Sequence, residues 1–180
     1  MLYRYKELLD KYGNNYQIKK QISNGTIIKK GDKLYSDNNS NNITDLIAKK
    51  YPNAVITGLT AYYSYNLYHQ NPPVIYVATP RDTTKITNET IYQHFVAKKI
   101  YDIGIITLDF NGSMVKIYNK EKLLIELIRN KDNYLQAQYD TILNNYKTII
   151  NKLNKNTVEE YLTYYPYNKK LKEEVLSLFN

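Results

Sequence analysis

The chain has 180 residues, a formal net charge of +8 and no cysteine. Without thiols, disulfides and thiolate metal centres such as zinc ribbons are excluded, and no apolar run approaches the ~18 residues that a membrane-spanning helix requires. The opening MLYRYKELLD lacks the apolar core of a secretory signal, so a soluble, cytoplasmic α/β protein is expected.

In chain order, Leu2, Tyr5, Leu8, Leu9 and Tyr12 recur at helical spacing and predict a helix over residues 2–12 that ends at Gly13. Asn14 or Asn15 caps a second helix with Ile18 and Ile22 inward, stopped by Gly25. Turning 100° per residue puts Tyr16, Gln17, Lys20, Ser23 and Asn24 on its outer face, flanked by Lys19 and Gln21. TIIKKGDKLY predicts a hairpin turning at Gly31-Asp32 in type II′ geometry, with Lys29, Lys30 and Lys33 near its tip. The polar segment at 38–42 reads as a linker.

Beyond it, NITDLIAKKYP predicts a short helix ended by Pro52, NAVITG a strand and AYYSYNLYH a helix. VIYVATP predicts a strand leading into the polar loop RDTTKITNE, and IITLDFNGSMVKIY a hairpin, since Asn111-Gly112 is the preferred type I′ pair. The last third reads as helical. Leu123, Leu124, Leu127 and Ile128 line one face, a longer stripe runs from Leu135 to Leu153, Thr157 with Glu160 has capping-box spacing, and Leu171, Val175, Leu178 and Phe179 stripe a terminal helix.

Charge is unevenly distributed. Residues 1–36 hold eight basic side chains against three acids, an excess that suits a polyanion. Two helices followed by a lysine-tipped hairpin match the plan of a winged helix-turn-helix, in which the second helix enters the major groove and the wing meets phosphate. On that plan Lys19, Lys20, Lys29, Lys30 and Lys33 face phosphates, while Tyr16, Gln17 and Asn24 face base edges, amide side chains pairing best with adenine. Fewer than ~40 residues rarely fold alone, so the module is expected to lean on the rest of the chain or on a later helix. The plainer alternative is an amphipathic helix and hairpin with solvated lysines. With only three arginines in a chain rich in Lys, Asn, Tyr and Ile, the 21 tyrosines are not themselves a sign of base stacking.

The segment YKELLDKYGNNYQIKKQISNGTIIKKGDKLYS resembles the start of the AbiEi antitoxins of type IV toxin-antitoxin systems, which act in abortive infection against phage. YPNAVITGLTAYYSYNL resembles that family's next segment at Pro52, Asn53, Gly58, Ala61 and Leu67, and VATPRDTTK, with Thr79, Pro80 and Arg81, follows in the corresponding place. VKIYNKEKLLIELIRNK resembles a later strand-to-helix stretch, in which Glu121 matches. Lys122 and Leu123 stand where the family has Arg and Thr, and Glu126 where it has Asp. The resemblance covers residues 3–162. It implies an antitoxin that represses its own operon at promoter repeats and counters a nucleotidyltransferase-like toxin, AbiEii. The implied organisation is a winged-helix module over 1–37, a linker over 38–42 and a mixed α/β antitoxin domain over 43–180 that ends in several helices. Operator repeats read as palindromes require two copies bound about one helical turn apart, as a dimer or cooperatively.

The residues argue against catalysis in this chain. Gly112-Ser113 has no D-x-D partner for magnesium, and Gly25 and Gly31 miss P-loop spacing, with Asp32 where Lys is needed. His69 and His94 have neither metal spacing nor an adjacent carboxylate. The rival readings are a partner-sequestering protein that touches no DNA, and a nuclease or modifying enzyme built on Asp109, Glu121, Glu126 and Arg81. Arg81 and Lys85 among hydroxyls are a candidate anion site. No cofactor or metal is expected.

Overall fold

The computed structural model describes residues 1–31, 33–37 and 43–180 as a mixed α/β protein with two sheets. It divides into two compact units, residues 1–52 with 109–114, and residues 53–108 with 115–180. The expected linker at 38–42 and the turn residue Asp32 lie outside the described residues.

In the first unit the chain runs β1 (Leu2–Arg4), α1 (Tyr5–Tyr12), α2 (Asn15–Ser23), β2 (Ile28–Gly31), β3 (Leu34–Ser36) and α3 (Ile43–Lys50). The expected first helix is corrected at its start, because Leu2, Tyr3 and Arg4 pair antiparallel with Ser36, Tyr35 and Leu34. Ladder bonds satisfy backbone groups that the open first turn of a helix would leave bare. The helix then opens at Tyr5, with the Arg4 N–H donating to the Glu7 carboxylate at 2.7 Å.

Gly13 and Gly25 end α1 and α2 at positive φ, and the Asn14 side chain accepts from the Gln17 N–H at 3.0 Å, as the capping pattern predicts. Leu8, Ile18, Ile27 and Tyr35 form the core, flanked by Tyr3, Tyr5, Leu9, Tyr12 and Ile22. Helix α3 stops before Pro52 as expected. It joins this unit through the Lys49–Glu7 ion pair and an Arg4 guanidinium bond to the Lys49 carbonyl at 2.7 Å. Ser113 donates to Asp45 in the first turn of α3 at 2.5 Å and accepts from Thr44 at 3.2 Å.

The second unit contains β4 (Val55–Ile56), α4 (Gly58–Ser64), β5 (Ile75–Pro80), β6 (Ile91–Val96), α5 (Lys98–Tyr101), β7 (Ile105–Phe110) and β8 (Ser113–Tyr118) apart from their tip at 109–114, α6 (Lys120–Arg129), α7 (Gln136–Ile149), α8 (Lys155–Leu162) and α9 (Lys169–Ser177). Its sheet has the order β6-β5-β4-β8-β7, with β4 antiparallel to β5 and parallel to β8, and β5 parallel to β6. Asn111 and Gly112 both take the left-handed φ that a type I′ turn demands, at 54° and 79°. Helix α4 begins at Gly58, three residues before its expected start.

Strand β6 was not expected. Its partner β5 runs parallel and is reached by a ten-residue loop over 81–90, fastened by Gln93, whose amide donates to Thr79 at 2.7 Å and accepts from the Ile86 N–H at 2.7 Å. The third late helix is corrected as well. It opens at Lys155 with Asn154 as cap, not at Thr157, because the Asn154 side chain accepts from the Thr157 N–H at 3.2 Å.

Helix α6 is the hub of this unit. It packs against α4, α7, α8 and α9, and Lys122 is withdrawn from solvent along with its expected apolar stripe. Gly104 lies against it at φ 68°, with room for no side chain: a methyl group would stand 2.7 Å from Asn119 Oδ1, the α6 cap, and 2.9 Å from Lys122 Cβ. A left-handed φ costs an L-residue ~1–2 kcal/mol, and overpacking adds ~1–3 kcal/mol. Gly104→Ala is therefore expected to lower the thermal midpoint by roughly 10 °C, measured by circular dichroism.

Candidate functional site

Two surfaces carry the residues that the sequence singles out, one in each unit. In the first, α2 turns Ile18 fully into the core. The same helical step that buries it sends Lys19 and Lys20 to solvent, and Tyr16 stands 73% exposed. Lys29, Lys30 and Lys33 are exposed on the β2–β3 hairpin, with Lys33 in the turn at φ 61°.

Lys49 pairs with Glu7, and Lys11 donates to Tyr3 at 2.9 Å beside Asp37. Asp37 accepts from Tyr3 at 2.7 Å and is held below the usual carboxylate range by its hydrogen bonds to the terminal amine and to Tyr3, against a small desolvation effect.

Two of the expected base-reading groups also have local work. Gln17 is half-buried, and the Asn24 side-chain Oδ1 accepts from the Thr26 N–H at 3.1 Å. Asn24 is thus a turn-forming residue whose amide hydrogens point away from that bond. Tyr16 and Asn24 are exposed.

In the second unit a cavity of about 740 Å3 opens between one face of the β5–β6 pair and α6 with the segment that follows it. Pleating explains the sheet side. Tyr76 is opposite Tyr92 and Ala78 is opposite His94, so these four share a face with side chains two residues apart. Their rings form a continuous patch, with Tyr92 and His94 centroids 4.8 Å apart and Tyr76 and His94 near-parallel at 6.1 Å. Burial pushes the His94 imidazole below its ordinary range, with Glu126 opposing. The helix side is a stripe at i, i+4 and i+7, Lys122, Glu126 and Arg129.

Glu126 is held from three sides, by the Tyr165 hydroxyl at 2.6 Å, the Asn130 amide at 2.7 Å and the Arg129 guanidinium at 3.7 Å. Lys122 borders the cavity but aims its ammonium elsewhere. The ammonium donates to the Ile100 carbonyl at 2.5 Å and sits 3.3 Å from the centre of the Tyr118 ring. Burial lowers its pKa to about 7, against the pull of Glu126 and Asp102 and with a small push from Arg129.

Of the residues singled out by the antitoxin resemblance, Gly58, Arg81, Lys122 and Glu126 border this one cavity. Gly58 starts α4 at φ 53°, with Tyr76 3.4 Å from where a side chain would begin. Thr79 is buried beneath the Gln93 amide, Pro80 ends β5, and Glu121 lies apart, accepting from the Asn154 N–H at 3.3 Å. His69 does not border the cavity, and Asp109 closes the hairpin turn by accepting from the Gly112 N–H at 2.9 Å.

Sequence reasoning missed Arg129, His94 as a wall residue, and the Tyr76–Tyr92 pair. A signal was present for the first, because Lys122, Glu126 and Arg129 are spaced on a helix whose remaining faces are almost wholly apolar. Among the described residues no group of three His, Asp or Glu side chains is placed to hold a metal ion, and no helix is long and apolar enough to cross a membrane. No protein-family model matches the chain, and no curated protein matches it significantly.

Proposed function

We propose that this chain is a cytoplasmic DNA-binding antitoxin of the AbiEi kind. On this reading the first unit is a compact winged helix-turn-helix that represses the chain's own operon, and the second counters a nucleotidyltransferase-like toxin. The observation that carries the DNA-binding half is the division of α2, with Ile18 in the core and Tyr16, Lys19 and Lys20 in solvent, next to a hairpin bearing Lys29, Lys30 and Lys33. Helix α2 is the recognition element, the β2–β3 hairpin is the wing, and α3 supplies the third helix that two helices before a wing leave wanting. The toxin-directed half rests on the order of residues shared with that family. The protein itself performs no catalysis.

The test is a mobility shift on duplex DNA from upstream of the gene, titrated against salt. Each phosphate contact by a lysine contributes a slope of about −0.9 to the logarithmic salt dependence. Five lysines then give a slope of about −4.5, with affinity falling by more than about two orders of magnitude between 50 and 200 mM salt. Absence of a shift at low salt refutes the DNA-binding half. Failure of the chain to protect cells expressing the adjacent toxin gene refutes the other.

A further inference from the structure

The cavity of the second unit has no part in DNA binding as proposed, yet its walls carry two kinds of chemistry at once. On the sheet side, Tyr76, Tyr92 and His94 form an aromatic wall in which Tyr76 and His94 are near-parallel and Tyr92, still 53% exposed, is tilted to both. At the end of β5, Arg81 follows Pro80 into the lining of the same cavity; its backbone N–H bonds to the Val96 carbonyl, which fixes the root of the side chain, and the residue is exposed. Arg129 borders the cavity from α6, half-exposed and 3.7 Å from Glu126. Glu126, bonded to Tyr165 and Asn130, keeps its charge and pairs with Arg129, so the exposed Arg81 carries most of the positive charge open to a ligand. Asp132 and Asn133 supply acceptors and a donor at the mouth.

An aromatic wall beside guanidinium groups selects a ligand that has both an aromatic ring and concentrated negative charge. Arginine matches phosphate through its fork of donors, and any nucleobase stacks on an aromatic face. The volume, about 740 Å3, falls in the ~300–1,000 Å3 range of small-molecule sites. That is more than a single-ring carboxylate fills.

We infer that the second unit binds a nucleoside monophosphate in this cavity, with the base packed against the Tyr76, Tyr92 and His94 wall and the phosphate held by Arg81 and Arg129. Burial of His94 keeps the imidazole neutral near pH 7, so it serves as a ring surface and the arginines carry the charge. The site is independent of the lysine face of α2, and its occupancy is separable from DNA binding.

The test is isothermal titration calorimetry on the full chain with AMP, GMP, CMP and UMP, and with adenosine and inorganic phosphate as separate arms. At least one monophosphate is expected to bind saturably and at least tenfold more tightly than either adenosine or inorganic phosphate. Arg81→Gln is expected to weaken the nucleotide about tenfold without altering adenosine, and Tyr92→Ala to weaken both. Both side chains are exposed, and circular dichroism verifies that the variants fold. Lys19→Ala with Lys20→Ala is expected to leave nucleotide affinity unchanged.

Three results overturn the inference. One is no saturable binding by any nucleotide. Another is phosphate binding as tightly as the nucleotides. The third is nucleotide affinity that survives both cavity substitutions or falls with the α2 lysines.

Discussion

Lys19→Ala combined with Lys20→Ala is expected to lower affinity for the upstream duplex about 100-fold at 150 mM salt, and to cut the salt slope by about 2. Both side chains stand in solvent on α2, one and two residues beyond the buried Ile18. Removing them takes away charge without touching the core of Leu8, Ile18, Ile27 and Tyr35. A hydrogen bond to a charged group contributes ~1.5–3 kcal/mol; two at the low end give the 100-fold loss.

Protection against the toxin is expected to persist in the same double variant, because the residues assigned to that task lie in the second unit. Fluorescence anisotropy at several salt concentrations, paired with a toxin-rescue assay, measures both. A folded variant that binds DNA as well as the parent, or one that loses protection together with repression, defeats the assignment of DNA binding to α2.

Lys122→Met is expected to abolish most of the pH dependence of stability between pH 7 and 9. The ammonium is wholly buried on α6, with a backbone carbonyl and the Tyr118 ring for company. Its pKa of about 7 in the folded chain lies far below the ordinary value of 10.5. Between those limits the unfolded chain binds the extra proton, so unfolding free energy rises with pH. Below pH 7 both states are protonated, and the full cost of burying the charge is felt.

The slope is at most about 1.4 kcal/mol per pH unit, which gives on the order of 2–3 kcal/mol between pH 7 and 9.5. Nine tyrosines, Tyr62, Tyr118, Tyr146 and Tyr165 among them, have raised pKa values that act in the opposite sense as pH approaches the ordinary tyrosine value of 10.0, and because they are the same in parent and variant they cancel in the comparison. Methionine keeps the length and removes the charge, and a buried charge replaced by a packed apolar group is often neutral or stabilising. Urea unfolding of both proteins at pH 6.5 and 9.5 measures the effect. A parent chain as stable at pH 6.5 as at 9.5 excludes a buried, strained ammonium at this position.

The features that sequence made legible are those set by local chemistry. Gly13, Asn14, Gly25 and the Asn111-Gly112 pair each fix a backbone conformation by themselves, and each stands where the spacing placed it. So do the buried Leu123, Leu124, Leu127 and Ile128, because a run of apolar residues at helical spacing has few other ways to leave water.

What was hidden depended on distant partners. Residues 2–4 are a strand only because residues 34–36 come back beside them. Strand β6 escaped notice because Gln93 and His94 interrupt its apolar pattern, and both are there for tertiary reasons: Gln93 ties down the 81–90 loop and His94 faces the cavity. The cavity itself combines two strands, a loop root and a helix stripe, so spacing within any one of them was silent about the others. Asn24 looked like a base reader by its helical angle alone, and its bond to the Thr26 N–H emerges only from the folded turn.

Ser113 lies more than sixty residues away along the chain from the helix start that it bonds, and that separation limits how the protein can be dissected. A clone stopping at Pro52 carries α2 and the wing but deprives Asp45 of the Ser113 hydroxyl. Such a fragment can fail on DNA simply because α3 has come loose. The two proposed activities are therefore separated cleanly by point substitutions in the intact polypeptide, and a negative result from an amino-terminal truncate says little about what the whole protein grips.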